Sequence, residues 1–535
     1  DLLGLGMLSA LSISFDLISQ HCGRFWTLAS IPRNEPGVYD MLCRGDSIGV
    51  FQVESRAQIG ALPRLKPRCF YDLAVEIGLI RPGPVQGGAV HPYIRRRTGV
   101  EPVTYPHPLL EPVLERTLGI PLFQEQLMQM ATTVGNCTAA DADLLRRAMG
   151  SKRGVERIDS LRTKLFEGMA ANGIDDDTAQ GIYARIESFA NFGFAESHAL
   201  SFAGLVYTSA WIKLHYPAVF LAALLRSQPM GFYSSATLVA DARRHGVVTR
   251  RPDVARSSVG ADLELLDACC EELGSEELET GIDECLHDHD ESEIGAFDPN
   301  RDDGDHRRDT HFAVRLGLSD VSGINIETAT RIVEERERES FASLDDLARR
   351  VDLSGEEVEA LALAGAFDDL VGSRRGALWQ IGQINGVAPG QLDVQVVTQP
   401  PLLPEPTQME LLGDDLRATG ISTADHPVRQ VRDALNRRGV VQVDRLDGVE
   451  TRRRIEVAGV VTHRQRPGTA GGVTFLNLED ETGLLNVIVT PGAWRHYRRV
   501  ARTSRALVVR GILERGDEGV MSLQADRLEA LDLSV

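Results

Sequence analysis

The hydrophobic period changes once along this chain, and that change constrains the fold more than any other feature. Up to about residue 250, apolar residues recur at helical spacing, as in LLEPVLERTL, QEQLMQMATTV and LVYTSAWIKLHYPAVFLAALL. From Arg454 onward, IEVAGVVT, GVTFLNLED, LLNVIVT, ALVVRGIL and VMSLQAD alternate or run apolar over strand lengths, separated by PGTAGG, ETG and RGDEG turns. Helical and strand periods segregated in this way predict a multidomain α+β protein. Five short strands with one helical interruption around Trp494 to Val500 predict a small carboxy-terminal β-barrel of the OB type. The length of 535 residues also exceeds what one core supports.

Between the two regimes the composition shifts. Residues 256–310 are rich in Asp, Glu, Gly and Ser, too apolar-poor to offset ordering entropy, and read as a solvated, disordered insertion. Residues 311–375 resume a helix-turn-helix period, 376–408 read as a linker, and 409–449 as a helical lead-in to a barrel at 450–535. The formal charge of −20 argues at first against a polyanionic partner. Residues 261–306 hold 18 acidic residues and one Arg, a net of −17, which leaves only −3 for the rest, so local basic clusters count.

Seven cysteines without a CxxC pair fit free thiols in a reducing compartment, so a cytoplasmic protein is expected. There is no apolar run of membrane-spanning length, and no membrane association is expected. Cys269, Cys270, Cys285, His287 and His289 lack the ligand spacing of a structural zinc site. No phosphate-binding P-loop, dinucleotide fingerprint, nucleophile elbow or HExxH is present.

Four constellations are candidates to carry chemistry. LLRRAMGSKR gathers Arg146, Arg147, Lys152 and Arg153 beside a glycine, which suits phosphate binding and equally describes a solvated helix face. FANFGFAESHALSFAGLVY crowds Phe189, Phe192, Phe194, Ser197, His198 and Tyr207 around Gly193, as a base-facing pocket or as core. GLSDVSGINIETATRIV, with Gly317, Ser319 and Gly323, reads as a hairpin that aims backbone N–H groups at a DNA phosphate, or as an ordinary αα-hairpin. On the barrel, Arg464, Arg466 and Arg498 belong to a basic set suited to single-stranded nucleic acid.

These segments, in this order, together with DLLGLGML, IGVFQVESRAQI and LIRPGPVQGG, resemble the bacterial DNA polymerase III alpha subunit family (C-family, DnaE-type), most closely its error-prone, ImuC-type branch. The resemblance covers nearly the whole chain apart from the acidic stretch and implies that it is the carboxy-terminal portion of such a polymerase. It implies a palm remnant at 1–50 and mainly α-helical fingers at 51–255. A helix-hairpin-helix region and an OB domain complete the order.

It further implies that Asp1 is the third of three metal-binding catalytic aspartates, whose partners are not in this sequence. Two Mg²⁺ ions need carboxylates from all three, so the isolated segment is expected to be inactive. Arg146, Arg147 and Lys152 are implied to contact the incoming deoxynucleoside triphosphate, with Ser197 and His198 lining its pocket. The implied partners are primer-template DNA and accessory mutagenesis proteins, namely a Y-family-like polymerase homologue and a RecA-related factor. GQLDVQVV offers Gln391, Leu392 and Val394 but no aromatic, so direct sliding-clamp binding is not expected. A replicative alpha subunit and a noncatalytic DNA-binding remnant are the alternative readings.

Overall fold

The computed structural model describes residues 2–80, 90–149, 154–188, 194–231, 233–266, 288–298, 304–384, 403–423, 425–466, 471–515 and 521–533. Asp1, Lys152, Phe189, Phe192, Gly193, the clamp-peptide residues 391–394 and the cysteines at 269, 270 and 285 lie outside them. The chain forms two bodies. One comprises residues 26–215 and 279–307, the other residues 1–25, 216–278 and 308–535. These divisions fall at 25/26 and 215/216, not at the expected 50 and 255.

In the first body, the helix Glu196–His215 is buried along most of its length and packs against the helix Phe70–Leu79. Both segments are apolar on nearly all faces, the pattern of a helix inside a core. Trp211 is fully buried, with Trp26 edge-on at 5.1 Å. The buried Ser209 hydroxyl accepts the Phe51 N–H at 3.1 Å and donates back to Leu205 O at 2.7 Å, so its polar atom is satisfied inside the core. A second core in this body joins Leu110, Leu127, Leu145, Leu165 and Ile182 of successive helices between residues 108 and 188.

The second body contains the helix Leu2–Cys22, packed on the helix Pro217–Arg226. A three-stranded sheet lies on that helix: β1 (Val248–Arg250) runs parallel to β3 (Phe312–Arg315), and β2 (Asp262–Leu265) antiparallel to it. This corrects the reading of 256–310 as wholly solvated. Leu263 is buried opposite Val314, and fully buried Asp309 accepts the Ala218 N–H at 2.7 Å and the Val219 N–H at 3.1 Å. The helix N-terminus supplies unsatisfied donors and a partial positive charge, which is why a buried acid is tolerated there. Composition could not reveal this, because the few residues that are built in sit among many that dominate the average.

The hairpin region packs the helices Ile326–Arg338, Leu344–Val351 and Gly355–Leu363 around Leu318, Ile332, Leu361 and Phe367. Ser343 and Ser354 cap the latter two by accepting N–H groups from their first turns. This core extends past 375 to Ala377, Ile381 and Ala418. The expected linker therefore begins with a helix, Arg374–Ile384, which the buried Arg374–Asp415 ion pair ties to the helix Gln408–Ala418.

The barrel follows the expected pattern. β4 (Arg454–Gln465), β5 (Thr474–Glu479), β6 (Leu484–Val489), β7 (Ala506–Arg515) and β8 (Met521–Ala530) close in the order β4-β5-β6-β8-β7. Within the barrel β6 and β8 pair in parallel, and the other neighbouring strands pair antiparallel. Two short helices, Pro491–His496 and Arg498–Thr503, connect β6 to β7. Alternate residues Leu476, Leu478, Leu485, Val487 and Val489 fill the interior, the period-2 signal seen in the sequence.

Candidate nucleotide and nucleic-acid site

The basic cluster is carried by the helix Ala139–Ala148 of the first body. Thr138 starts it with a capping box closed by Asp141, and the arginines stand in its last turn, where cations complement the helix dipole. Asp143, one turn earlier, accepts from Arg146 Nε at 3.0 Å and Nη2 at 2.8 Å, and its other oxygen lies 2.8 Å from Arg147 Nη2. The Arg146 bonds and the nearby Arg147 charge hold the Asp143 carboxyl below its ordinary range. Both guanidinium groups are pre-oriented yet remain exposed, at 47% and 61%.

The second constellation divides. Ser197 is exposed in the first turn of the helix Glu196–His215. His198 is held between aromatic rings, with Phe194 edge-on at 5.5 Å and Phe202 at 4.1 Å, and Phe202 in turn meets Phe51 at 5.0 Å. Phe194 and Phe202 are buried, so the core reading holds for them while Ser197 and part of His198 face outward. Tyr207 belongs elsewhere: its ring lies 5.7 Å from Tyr39 and its oxygen accepts the Glu35 N–H at 2.8 Å.

Sequence reasoning missed the groups that fix this turn. Glu196 accepts from the Tyr71 hydroxyl at 2.7 Å, and its own N–H donates to Glu125 Oε2 at 2.9 Å. Arg116 stacks over Tyr71 at 4.0 Å and lies 3.7 Å from Glu196. Burial and the bond to Glu196 push the Tyr71 hydroxyl well above its ordinary value, so it stays a donor. A second missed cluster joins Glu35, His215 and His306. His215 Nε2 is 2.7 Å from Glu35 Oε2, His306 Nδ1 is 3.3 Å from Glu35 Oε1, and His215 Nδ1 is 2.9 Å from His306 O. Residues so far apart in sequence leave no spacing signal.

In the second body, the hairpin loop uses the donors that were expected to face phosphate. Leu318 N–H donates to Ser258 O, and both the Ser319 N–H and hydroxyl donate to Val259 O. The Gly317 N–H donates to Asp320 Oδ2 at 2.7 Å, and burial lifts that carboxyl to about 6. A Cβ on Gly317 would lie 2.3 Å from the Gly260 carbonyl carbon, so its glycine serves close backbone approach. Gly317 and Ser319 therefore dock the loop within the fold. Gly323, at φ +96°, forms the open turn before the helix Ile326–Arg338.

On the barrel, Arg464 is exposed, but its guanidinium is already engaged by the protein's own carbonyls. Its guanidinium donates to Ala501 O at 2.9 Å and to Ser504 O, bracing β4 against the helix Arg498–Thr503. Arg466 lies over the Trp494 ring at 5.7 Å, and Arg466 and Arg498 are exposed. A cation beside an indole suits stacking and phosphate contact with single strands.

Three family descriptions match these parts in order. Residues 7–173 match the bacterial DNA polymerase III alpha subunit finger domain, 246–377 a helix-hairpin-helix motif, and 455–531 an OB-fold nucleic acid binding domain. The finger match starts inside the segment assigned to the palm, and the hairpin match encloses the acidic stretch. The finger match makes the chain similar to the bacterial DNA polymerase III alpha subunit family.

Over the whole chain, the similarity is to proteins named error-prone DNA polymerase. The chain is 50% identical over its full length to that of Mycolicibacterium paratuberculosis and to that of Mycobacterium tuberculosis. Identity to that of Corynebacterium glutamicum is 48%, again over the whole chain. The chain spans 45% of the first two relatives and 46% of the third. Among the described residues, no helix is long and apolar enough to cross a membrane.

Proposed function

We propose that this chain is the finger, hairpin and barrel portion of a template-directed DNA polymerase that performs error-prone synthesis across damaged template. The observation that carries this reading is the 50% identity, over the whole chain, to a protein named error-prone DNA polymerase. Its substrates are primer-template DNA and deoxynucleoside triphosphates, and it works in the bacterial cytoplasm. Accessory mutagenesis proteins, a Y-family-like polymerase homologue and a RecA-related factor, are its proposed partners, and direct clamp binding is not part of the proposal.

Arg146 and Arg147, joined by Lys152, receive the triphosphate, because a planar guanidinium matches phosphate geometry. Release from Asp143 accompanies that contact. Ser197 and the outward edge of His198 border the nucleotide, with Glu196, Tyr71 and Arg116 fixing the turn that presents them. The Gly323 turn, Arg466 and Arg498 hold the DNA backbone.

Mg²⁺, when bound, activates the primer hydroxyl and stabilises the departing pyrophosphate. Among the described residues, neither body by itself assembles an oxygen-rich carboxylate set for it: the convergent donors of the first body are Glu35 with two histidines. Asp1 is this chain's proposed contribution to that site.

The test is primer extension by a fusion of this chain to the upstream half of the Mycobacterium tuberculosis relative. Extension is expected, Asp1→Asn should abolish it, and Arg146→Ala with Arg147→Ala should raise the nucleotide KM at least tenfold. Full activity with Asn at position 1 would remove Asp1 from the metal site. DNA binding without extension in the unaltered fusion would favour a noncatalytic role.

A further inference from the structure

The Glu35, His215 and His306 cluster has no part in the nucleotide reading, and its geometry does not close as a set of hydrogen bonds. Glu35 stands just ahead of the helix Pro36–Cys43, and His215 ends the helix Glu196–His215. His306 comes from the segment Gly304–His306 near the end of the acidic stretch. The side chains are 2%, 0% and 13% exposed. Glu35 Oε1 and His306 Nδ1 are buried and face each other at 3.3 Å, and among the described residues neither makes a hydrogen bond of good geometry. Two adjacent orphan atoms of this kind are costly in a protein interior.

The roles on His215 are constrained further. The carbonyl of His306 can only accept, so His215 Nδ1 carries the hydrogen of the 2.9 Å contact. Its Nε2 faces Glu35 Oε2 at 2.7 Å. An imidazole that donates one N–H to a backbone carbonyl and aims the other nitrogen at a carboxylate has the orientation of a metal-bound histidine with its supporting hydrogen bond.

We propose that Glu35, His215 and His306 form a zinc site. Two imidazole nitrogens and one carboxylate oxygen are a zinc donor set. Tetrahedral ligands about 2.0–2.1 Å from zinc stand roughly 3.3 Å apart, the spacing already present between Glu35 Oε1 and His306 Nδ1. Zinc entry opens the Glu35–His215 contact by about half an ångström, and water takes the fourth position. With its ligands this deeply buried, the ion acts as a staple that fixes the return of the acidic segment within the first body. Gly37 belongs to the design, because a Cβ there would lie 2.8 Å from the His306 ring.

The experiment titrates the metal-free 535-residue chain with Zn²⁺ and, separately, with Co²⁺. Bound zinc is counted by mass spectrometry after gel filtration, and the visible bands of four-coordinate cobalt are recorded. One zinc per chain and cobalt bands are expected in the wild type. His306→Ala should remove both, and Gly37→Ala, which deletes no ligand atom, should weaken binding at least tenfold. Simultaneous replacement of Cys269, Cys270 and Cys285 by serine should change nothing. Absence of zinc and cobalt binding in the wild type overturns the proposal whatever the variants do, as does a stoichiometric zinc that survives His306→Ala or disappears with the cysteines.

Discussion

The Asp143 carboxylate accepts two hydrogen bonds from the single guanidinium of Arg146, at 3.0 and 2.8 Å. Arg146 is thereby held ready, but its charge is partly neutralised, and a phosphate must displace Asp143 to use the full fork. Asp143→Ala adds one net positive charge beside both arginines and should tighten triphosphate binding by roughly two- to fivefold at low salt. The gain should fade as ionic strength shortens the screening length. Titration with a fluorescent deoxynucleotide analogue checks it. Weaker binding would instead mean that Asp143 matters for orientation.

Glu76 is fully buried on the helix Phe70–Leu79, and among the described residues neither carboxylate oxygen has a partner. Burial raises its pKa well above the ordinary carboxylate value, so the folded chain holds it protonated. The unfolded chain ionises near pH 4.3. The sign follows: the acid costs least below that pH, and stability is lost as pH rises from there toward the folded pKa. Glu76→Met should therefore raise the melting temperature, by more at pH 8 than at pH 4. A difference between the two proteins that does not grow with pH would contradict this.

The parts legible in the sequence were those with a local period. Leu476, Leu478, Leu485 and Val487 alternate, so the barrel could be read strand by strand, and the run from Val206 to His215 marked a buried helix. Contacts between distant residues were not legible. Asp309 looked like one more acid in a solvated stretch, yet it caps a buried helix 91 residues away in sequence. Gly317 and Ser319 mark a turn in the sequence, but only the structure shows that Val259 and Gly260 receive it. Arg464 and Arg466 are two residues apart and indistinguishable by composition, while one bonds carbonyls and the other faces solvent beside Trp494.

That last difference is testable. Arg466→Ala should lower affinity for single-stranded DNA roughly threefold and leave the melting temperature unchanged, because only an exposed cation and its ring contact are lost. Arg464→Ala should do the reverse, costing about 1 kcal/mol of stability as the Ala501 and Ser504 carbonyls lose their donor. Paired calorimetry and anisotropy on the two variants check the assignment. Equal effects on DNA binding would return Arg464 to the nucleic-acid surface.

Gly317→Ala forces a Cβ to within 2.3 Å of backbone that cannot swing aside as a side chain can. A loss of about 1–3 kcal/mol is expected, the usual cost of overpacking. Gly323→Ala, where the nearest neighbour is 3.8 Å away, acts only through its positive φ of +96° and should cost about 1 kcal/mol. Denaturant unfolding of both variants distinguishes close approach from conformational strain, and equal losses would contradict the packing argument.

The central claim is that this segment itself engages primer-template DNA. The direct measurement is fluorescence anisotropy of a labelled duplex with a single-stranded template overhang, titrated with the chain across a salt series. Log affinity should fall linearly with log salt, with a slope near −0.9 for each duplex phosphate contacted. Combined replacement of Arg146, Arg147, Arg466 and Arg498 by alanine should flatten that slope. No binding at low salt, or binding indifferent to salt and to those four arginines, would contradict the account.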